Sequence, residues 1–166
     1  MRFISGPIME NTQHPLVDRI DRRILDVLQR EGALPVAEVA ARIGLSTTTC
    51  WRRIQALEQS GVIRGRVAVL DRAALGLDVT IFAHVKLSTQ GRDAIAAFAE
   101  AIRERPEVLD CYTTMGEWDF MLRIVTRDIK AYEAFYLDHL SKLPFVQSIN
   151  SSVTVTVIKE TTVLPL

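Results

Sequence analysis

The stretch from residue 34 to residue 61 constrains the fold more than any other part of the chain. Two short amphipathic segments, "LPVAEVAARIG" and "GLSTTTCWRRIQALEQSG", meet at the tight turn "IGLS". Ala40 lies four residues before Gly44, and a small side chain there lets two helices cross closely. Glycine tolerates the positive φ that such a tight turn often requires. This spacing predicts a helix-turn-helix, a motif whose second helix enters the major groove of DNA.

A third helix precedes this motif. In "DRIDRRILDVLQREG" apolar residues recur at helical spacing from Ile20 to Leu28, and Gly32 ends the pattern. The three segments predict a compact trihelical domain over residues 18–66. The following "VIRGRVAVL" has β-branched residues around Gly65, which predicts a short two-stranded wing.

The second helix of the motif has two unlike faces. Ser46 is a predicted N-cap, and Cys50, Ile54 and Leu57 form one apolar stripe. The opposite face carries hydroxyl, amide and guanidinium groups and no carboxylate before Glu58, a surface that suits a polyanion. Candidate contacts to phosphates or base edges are Ser46, Thr47, Thr48, Thr49, Arg52, Arg53, Gln55, Arg64 and Arg66.

These candidates have different expected roles. Arg52 is long enough for guanine or phosphate, and Gln55 suits adenine. Arg53 lies nearer the apolar stripe, so a phosphate contact is favoured over a base. Trp51 lies between the faces, where packing against the first helix or the wing and insertion into DNA are both open.

The charge, cysteine content and hydropathy of the chain argue against several classes of protein. The formal net charge is zero, but residues 1–66 hold ten Lys/Arg against seven Asp/Glu, and residues 67–166 hold ten against thirteen. Cys50 and Cys111 have no metal-ligand spacing, so we expect no metal, no cofactor and a reduced, cytoplasmic setting. No run of 18 apolar residues occurs, so no transmembrane helix and no membrane partner are expected. Residues 1–17 are expected to be a flexible extension, with Met1 or Met9 as the start.

The second half of the chain has a different pattern. After a linker over residues 67–78, "VTIFAHVKL" alternates as a strand, and "GRDAIAAFAEAIRERP" is an amphipathic helix. "VLDCYTTM" and "WDFMLRIVT" predict a hairpin, "IKAYEAFYLDHLSKLP" a second helix, and "VQSINSSVTVTVIK" a long last strand. The order β-α-β-β-α-β over residues 79–166 predicts an α+β chain with a C-terminal ferredoxin-like sandwich. Apolar residues on both sides of "FMLRIV" favour a dimer that covers the open face of the sheet.

The chain resembles the leucine-responsive/asparagine-regulator (Lrp/AsnC, "feast/famine") family of prokaryotic transcription factors. The resemblance extends from Asp18 to Pro165 and is carried by "DRIDRRILDVLQREG", "AEVAARIGLSTTTCWRRIQALEQSGVIRG", "MGEWDF" and "SSVTVTVIKETTVLP". It is similar in detail to a subgroup with cysteine-responsive members, so cysteine is one candidate effector. Many members have Pro where this chain has Thr49, and both residues are tolerated in a first helical turn.

The resemblance implies a sequence-specific regulator of transcription on double-stranded DNA. It also implies an amino-acid effector bound near the "TTMGEWDF" loop, and a homodimer that assembles further, to an octamer. Gly116 permits close approach of the backbone to an effector carboxylate, and Asp119 can accept from its ammonium group. The candidate effector residues are Met115, Gly116, Glu117, Trp118, Asp119, Ser151 and Ser152, the two serines from a neighbouring subunit.

Two alternative functions, an enzyme and an architectural protein, differ from that of an effector-responsive regulator. Glu117 and Asp119 are two carboxylates on one hairpin, which is compatible with acid–base catalysis. Their position at a turn and the helix-turn-helix in front argue against an enzyme. The second alternative is an architectural DNA-binding protein that ignores small molecules, and its DNA binding would not change with any amino acid.

Overall fold

The computed structural model describes residues 17–89 and 91–166, which form two compact units. The first unit ends at Val69 and also includes Glu160–Leu166, and the second unit is Leu70–Lys159. The predicted extension over residues 1–17, with both candidate starts, lies outside the described residues apart from Val17.

The first unit contains three helices, α1 (Arg19–Arg30), α2 (Val36–Ile43) and α3 (Thr47–Gln59). α1 begins at a capping box, in which the Asp18 carboxylate accepts from the N–H groups of Ile20 and Asp21, and the Asp21 carboxylate accepts from the N–H of Asp18. This arrangement satisfies backbone donors that the helix itself leaves unpaired. One apolar core joins the helices: Ile24, Leu28, Val39, Ala40, Ile43, Cys50, Ile54 and Leu57.

The turn between α2 and α3 has the geometry that the sequence predicts. Gly44 has φ +73°, in the left-handed region, and the N–H of Leu45 donates to the carbonyl oxygen of Ala40 over 2.9 Å. Ala40 is buried at the point where the two helices meet. The helix-turn-helix is therefore confirmed.

The segment after α3 corrects one expectation. Residues 62–70 occupy the position of the wing, but no paired strand forms there. The side chains of Val67 and Val69 are each 83% exposed. Alternating β-branched residues form a strand only when a neighbouring strand pairs with them, and within the described chain this segment has none.

The second unit is an antiparallel four-stranded sheet in the order β2-β3-β1-β4. Its elements follow as β1 (Val79–Leu87), α4 (Arg92–Arg103), β2 (Val108–Thr113), β3 (Phe120–Thr126), α5 (Ile129–Phe135) and β4 (Val146–Val153). A π-helical turn, Tyr136–Leu140, continues α5. The core lies between the sheet and the two helices and includes a stacked pair of rings, Phe98 and Phe120, with centroids 4.3 Å apart. The predicted α+β class and ferredoxin-like order are confirmed.

The end of the chain differs from the prediction in two ways. The last strand ends at Val153, where its pairing with β1, which runs from Ile81 to Leu87, stops. Residues 160–166 belong to the first unit and not to the sandwich: Gln29 exchanges two hydrogen bonds with the backbone of Leu164, at 2.8 and 3.0 Å. None of the helices among the described residues is long and apolar enough to cross a membrane.

Candidate functional site

The exposed face of α3 carries side chains that are available to a ligand. Thr47, Thr48 and Arg52 are exposed, and so is Arg64 in the segment that follows the helix. None of these four side chains makes a hydrogen bond or ion pair with the part of the chain that the structure describes. Unpaired guanidinium and hydroxyl groups on one helix face suit phosphate oxygens and base edges.

Ser46 and Thr49 are partly used by the helix itself. The Ser46 Oγ accepts from the Thr49 N–H over 3.2 Å, and its hydroxyl donates to Thr49 Oγ1 over 2.8 Å. The cap fixes the start of α3 and therefore the direction in which the first turn points. A contact from either hydroxyl to DNA has to share that oxygen with the cap.

Arg53 has partners that the sequence did not indicate. Its Nη1 donates to Asp18 Oδ2 over 2.7 Å and to Asp21 Oδ1 over 2.8 Å, across the start of α1. The hydrogen bond from the Asp21 N–H and then the Arg53 guanidinium lower the pKa of the Asp18 carboxyl. Arg53 thus ties α3 to the N-terminus of α1, whereas we expected it to face a phosphate.

Gln55 and Arg66 share one partner, Glu58. Gln55 Nε2 donates to Glu58 Oε2 over 2.9 Å, and Arg66 Nη2 donates to Glu58 Oε1 over 3.2 Å. This network joins α3 to the segment that follows it, and it brings two predicted DNA-contact residues together. The sequence prediction did not include Glu58, although its spacing of three residues from Gln55 on a helix gives a signal for this contact.

Trp51 does not enter the core. Its side chain is 54% exposed and lines a cleft between α3 and residues 63–66, together with Ile63 and Arg64. Of the two alternatives for this residue, packing against the first helix or the wing agrees with its place beside residues 63–66, and insertion into DNA stays a prediction.

The loop between β2 and β3, residues 114–119, is held by a hydrogen bond within the loop and by another to β1. The Thr114 hydroxyl donates to the Trp118 carbonyl over 2.6 Å, and the Asp119 N–H donates to the Val85 carbonyl over 2.9 Å. Gly116 has φ +133°, a conformation that favours glycine, and Met115 is fully exposed beside it. Glu117 is exposed too. The indole of Trp118 lies 6.1 Å from the ring of His84, centroid to centroid.

Asp119 is engaged within the chain. Its Oδ2 accepts from the Leu87 N–H over 2.8 Å, and Lys86 Nζ lies 3.5 Å from its Oδ1. The carboxylate therefore anchors the loop to the end of β1. An ammonium group that binds here has to use the remaining acceptor positions of this carboxylate.

Ser151 and Ser152 lie away from this loop in the same chain. They pair with Ala83 and Phe82 on β1, whereas the loop contacts β1 at Val85 and Leu87. Successive residues of a strand point to opposite faces, so these serines face different sides of the sheet. The Ser151 hydroxyl is hydrogen-bonded to that of Tyr132 in α5.

No group of three or more His, Cys, Asp or Glu side chains suited to a metal ion occurs within residues 17–89 and 91–166. The two candidate sites lie in different units, the α3 face in the first and the loop of residues 114–119 in the second. A helix-turn-helix with unpaired Arg52 on its second helix and unpaired Arg64 just after it, joined to a ferredoxin-like sandwich with a structured loop, defines a DNA-binding protein with a second domain.

Comparison with known proteins extends this assignment. Residues 80–164 match the model of the Lrp/AsnC ligand binding domain, and residues 17–64 match the model of a winged helix-turn-helix DNA-binding domain. The chain is 34% identical over 151 residues to the DNA-binding transcriptional activator DecR of Escherichia coli, covering 91% of this chain and 99% of DecR.

Two solved structures superpose closely. One is an AsnC family transcriptional regulator from Agrobacterium tumefaciens, 42% identical with a TM-score of 0.85; the other is the transcriptional regulator NMB0573 of Neisseria meningitidis in complex with L-Met, 37% identical with a TM-score of 0.85. Each comparison covers 89% of this chain and 96% of the other chain. The chain belongs to the Lrp/AsnC family: it is a DNA-binding transcriptional regulator with a ligand-binding domain.

Proposed function

We propose that this regulator reads specific DNA sequences with α3, and that an amino acid bound at the loop of residues 114–119 changes its affinity for DNA. The observation that carries the proposal is the set of unpaired polar and cationic side chains on α3 and just after it. Thr47, Thr48 and Arg52 read or position the major groove, and Arg64 contacts the phosphate backbone. Further contacts to DNA come from residues that share hydrogen bonds with their present partners: Ser46, Thr49, Gln55 and Arg66. Arg53 holds α3 against the start of α1.

The effector site that we propose is built around Gly116 and Asp119, with Met115, Glu117 and Trp118 beside them. Backbone N–H groups near Gly116 receive the carboxylate of the amino acid, and Asp119 receives its ammonium group. Ser152 of a neighbouring subunit completes this site, and Ser151, on the other face of the sheet, contributes only after sharing its hydrogen bond with Tyr132. The L-Met complex of the Neisseria relative makes methionine a candidate beside cysteine.

A second copy of the chain is part of the proposal. Several apolar side chains are strongly exposed, among them Val67, Val69, Val155 and Ile158, and Phe82 and Met121 are half-buried on the sheet face opposite the helices. Exposed apolar patches on soluble proteins commonly mark interfaces. We propose a homodimer that assembles further, to an octamer, and sedimentation measures the mass directly.

The proposed action is regulatory and not catalytic, and its place is the cytoplasm. The characterised relatives are transcriptional regulators, and the carboxylates of Glu117 and Asp119 lie on a surface loop. Effector binding favours one arrangement of the oligomer, and coupling between two sites is commonly worth about 1–3 kcal/mol.

The first test is thermal unfolding of the purified protein with each of the twenty amino acids, cysteine kept reduced. A ligand at about 100 times its Kd stabilises the folded state by roughly 2.7 kcal/mol. One amino acid that raises Tm and also shifts the binding of a selected DNA duplex supports the proposal. DNA binding that no amino acid alters favours an architectural protein instead.

A substitution then tests the location of the effector site. Asp119→Ala should lose the increase in Tm caused by the active amino acid, compared with its own Tm without ligand. Glu133→Gln, which changes an exposed carboxylate on α5, serves as the control and should respond as the wild type does. A normal response of Asp119→Ala places the effector elsewhere.

A further inference from the structure

Glu58 is the acidic partner of two residues on the proposed DNA-reading surface. Its two oxygens are used separately: Oε2 accepts from Gln55, and Oε1 accepts from Arg66. The side chains of Glu58 and Arg66 are each 37% exposed, so both are open to water and to a ligand. A carboxylate beside a DNA-reading surface weakens attraction to phosphates, and its presence there requires a physical reason.

The reason lies in the chemistry of the Gln55 amide. An ionised carboxylate accepts hydrogen bonds and donates none, so Gln55 has to turn its NH₂ group, and not its oxygen, toward Glu58. One N–H of Gln55 and its Oε1 then remain for a ligand. A glutamine reads adenine with this same pair of groups, since it donates to N7 and accepts from the N6 amino group.

The pair with Arg66 has a second consequence. While Arg66 is bound to Glu58, its charge is compensated, and one cation fewer is available to a DNA of any sequence. Arg52 and Arg64 keep their charges free within the described residues. Glu58 therefore lowers the attraction that does not depend on sequence and leaves the base contacts in place.

We propose that Glu58 is a specificity-determining residue: it orients the Gln55 amide to read an A·T base pair, and it pairs with Arg66, which lowers the attraction to DNA of any sequence. This inference rests on the proposed function of α3 as the DNA-reading helix. Glu58 acts through Gln55 and Arg66, so it is a positioning residue that need not touch a base itself.

The experiment begins with the wild type, which selects its preferred duplex from a random library. Anisotropy titrations at several NaCl concentrations then give Kd for that duplex, for each single base-pair substitution in it and for an unrelated duplex. The same titrations are made with Gln55→Ala, Glu58→Ala, Glu58→Gln, the double variant Gln55→Ala/Glu58→Ala, and the control Glu133→Gln.

Gln55→Ala should lose about tenfold of discrimination at one A·T position, within the range for a bidentate base contact. Glu58→Ala should lose discrimination at the same position while it binds the unrelated duplex more tightly. Its plot of log K against log salt should steepen by about 0.9, since Arg66 is free to contact a phosphate. The double variant should discriminate no worse than Gln55→Ala alone, because the two substitutions disrupt the same contact between Gln55 and the base.

Glu58→Gln separates charge from orientation. It frees Arg66, so its salt dependence should match that of Glu58→Ala. Its amide can donate as well as accept, so Gln55 is oriented less strictly, and discrimination should lie between that of the wild type and that of Glu58→Ala. Glu133→Gln should match the wild type throughout.

The outcomes distinguish this inference from the function on which it rests. If the wild type selects a sequence but Glu58→Ala keeps full discrimination at the position that Gln55 reads, the role of Glu58 is refuted and the proposed function stands. The same follows if Gln55→Ala loses no discrimination at any position. If the wild type enriches no sequence, the proposed function and this inference both fail.

Discussion

The guanidinium of Arg53 lies 2.7 Å from Asp18 Oδ2, the carboxylate that caps α1. The same Nη1 reaches Asp21 Oδ1 at 2.8 Å, and the Arg53 side chain is 28% exposed. One arginine of α3 therefore binds both carboxylates of the capping box of α1, which lie 32 and 35 residues before it. Its neighbour Arg52 points to solvent, so adjacent arginines on α3 have different tasks.

Arg53→Met and Arg52→Met should differ in how salt affects DNA binding. Arg52→Met removes a cation from the DNA face, so the slope of log K against log salt should fall by about 0.9 if Arg52 contacts a phosphate, or discrimination should fall at one base pair. Arg53→Met should leave the slope unchanged and lower the urea midpoint of unfolding. If the slope of log K against log salt falls by the same amount in Arg53→Met, Arg53 contacts a phosphate after all.

The ion pair of Asp18 makes a prediction about pH. Hydrogen bonds from the Asp21 N–H and from the Arg53 guanidinium lower the pKa of Asp18 from its ordinary value of 3.8. A lowered pKa in the folded state means that the contribution to stability is present above 3.8 and is lost as the pH falls through the folded-state pKa. Asn is as good an N-cap as Asp, so Asp18→Asn removes the charge and keeps the cap.

Wild type and Asp18→Asn should therefore differ most in unfolding free energy near neutral pH, with the wild type more stable. The difference should shrink below about pH 4 as Asp18 takes up its proton. Urea titrations at pH 7, 5, 4 and 3 measure it. The carboxyls of Asp26, Glu31 and Asp138 also have lowered pKa values, but they are common to both proteins and cancel in the difference. A difference that does not depend on pH would contradict the assignment.

Gly44→Ala isolates the backbone requirement of the helix-turn-helix. A Cβ built on Gly44 meets no atom within 4 Å, so the cost is the left-handed conformation alone, at φ +73°. We expect a loss of about 1 kcal/mol in the free energy of unfolding. Gly65 also has open space around its Cβ, but its φ is not positive, so Gly65→Ala should be neutral or slightly stabilising. Urea denaturation of both variants checks the contrast, and equal effects would show that Gly44 φ is not the cause.

The sequence predicts well where local chemistry decides. The Ser46 cap, the Gly44 turn and the alternation of β1 depend on residues within a few positions, and each is present in the structure. Prediction fails where a distant partner decides. Arg53 finds its carboxylates 32 and 35 residues away, and no local pattern points to them.

The last strand also shows that a local pattern is not sufficient, because here the pattern continues where the strand does not. Alternation continues through Val155 and Val157, yet the strand ends at Val153, where its ladder with β1 stops at Ile81, two residues after β1 begins. A final backbone bond, from the Thr154 N–H to the Thr80 carbonyl at 2.9 Å, closes the ladder. Pairing, and not alternation, sets the end of a strand.

The C-terminal segment gives the last prediction, since Gln29 holds it at the surface of α1. Leu164 donates its N–H to Gln29 Oε1 and accepts from Gln29 Nε2, so one side chain satisfies both backbone groups. Gln29→Ala removes both bonds, and hydrogen exchange at the Leu164 amide should become about fivefold faster, as expected for a net loss near 1 kcal/mol. Gln29→Glu keeps the acceptor for the Leu164 amide and loses the donor. Exchange at this amide should therefore be faster than in the wild type and slower than in Gln29→Ala. Gln59→Ala, an exposed change at the end of α3, should leave exchange at Leu164 as in the wild type. An unchanged rate in Gln29→Ala would show that the segment is not held through this pair.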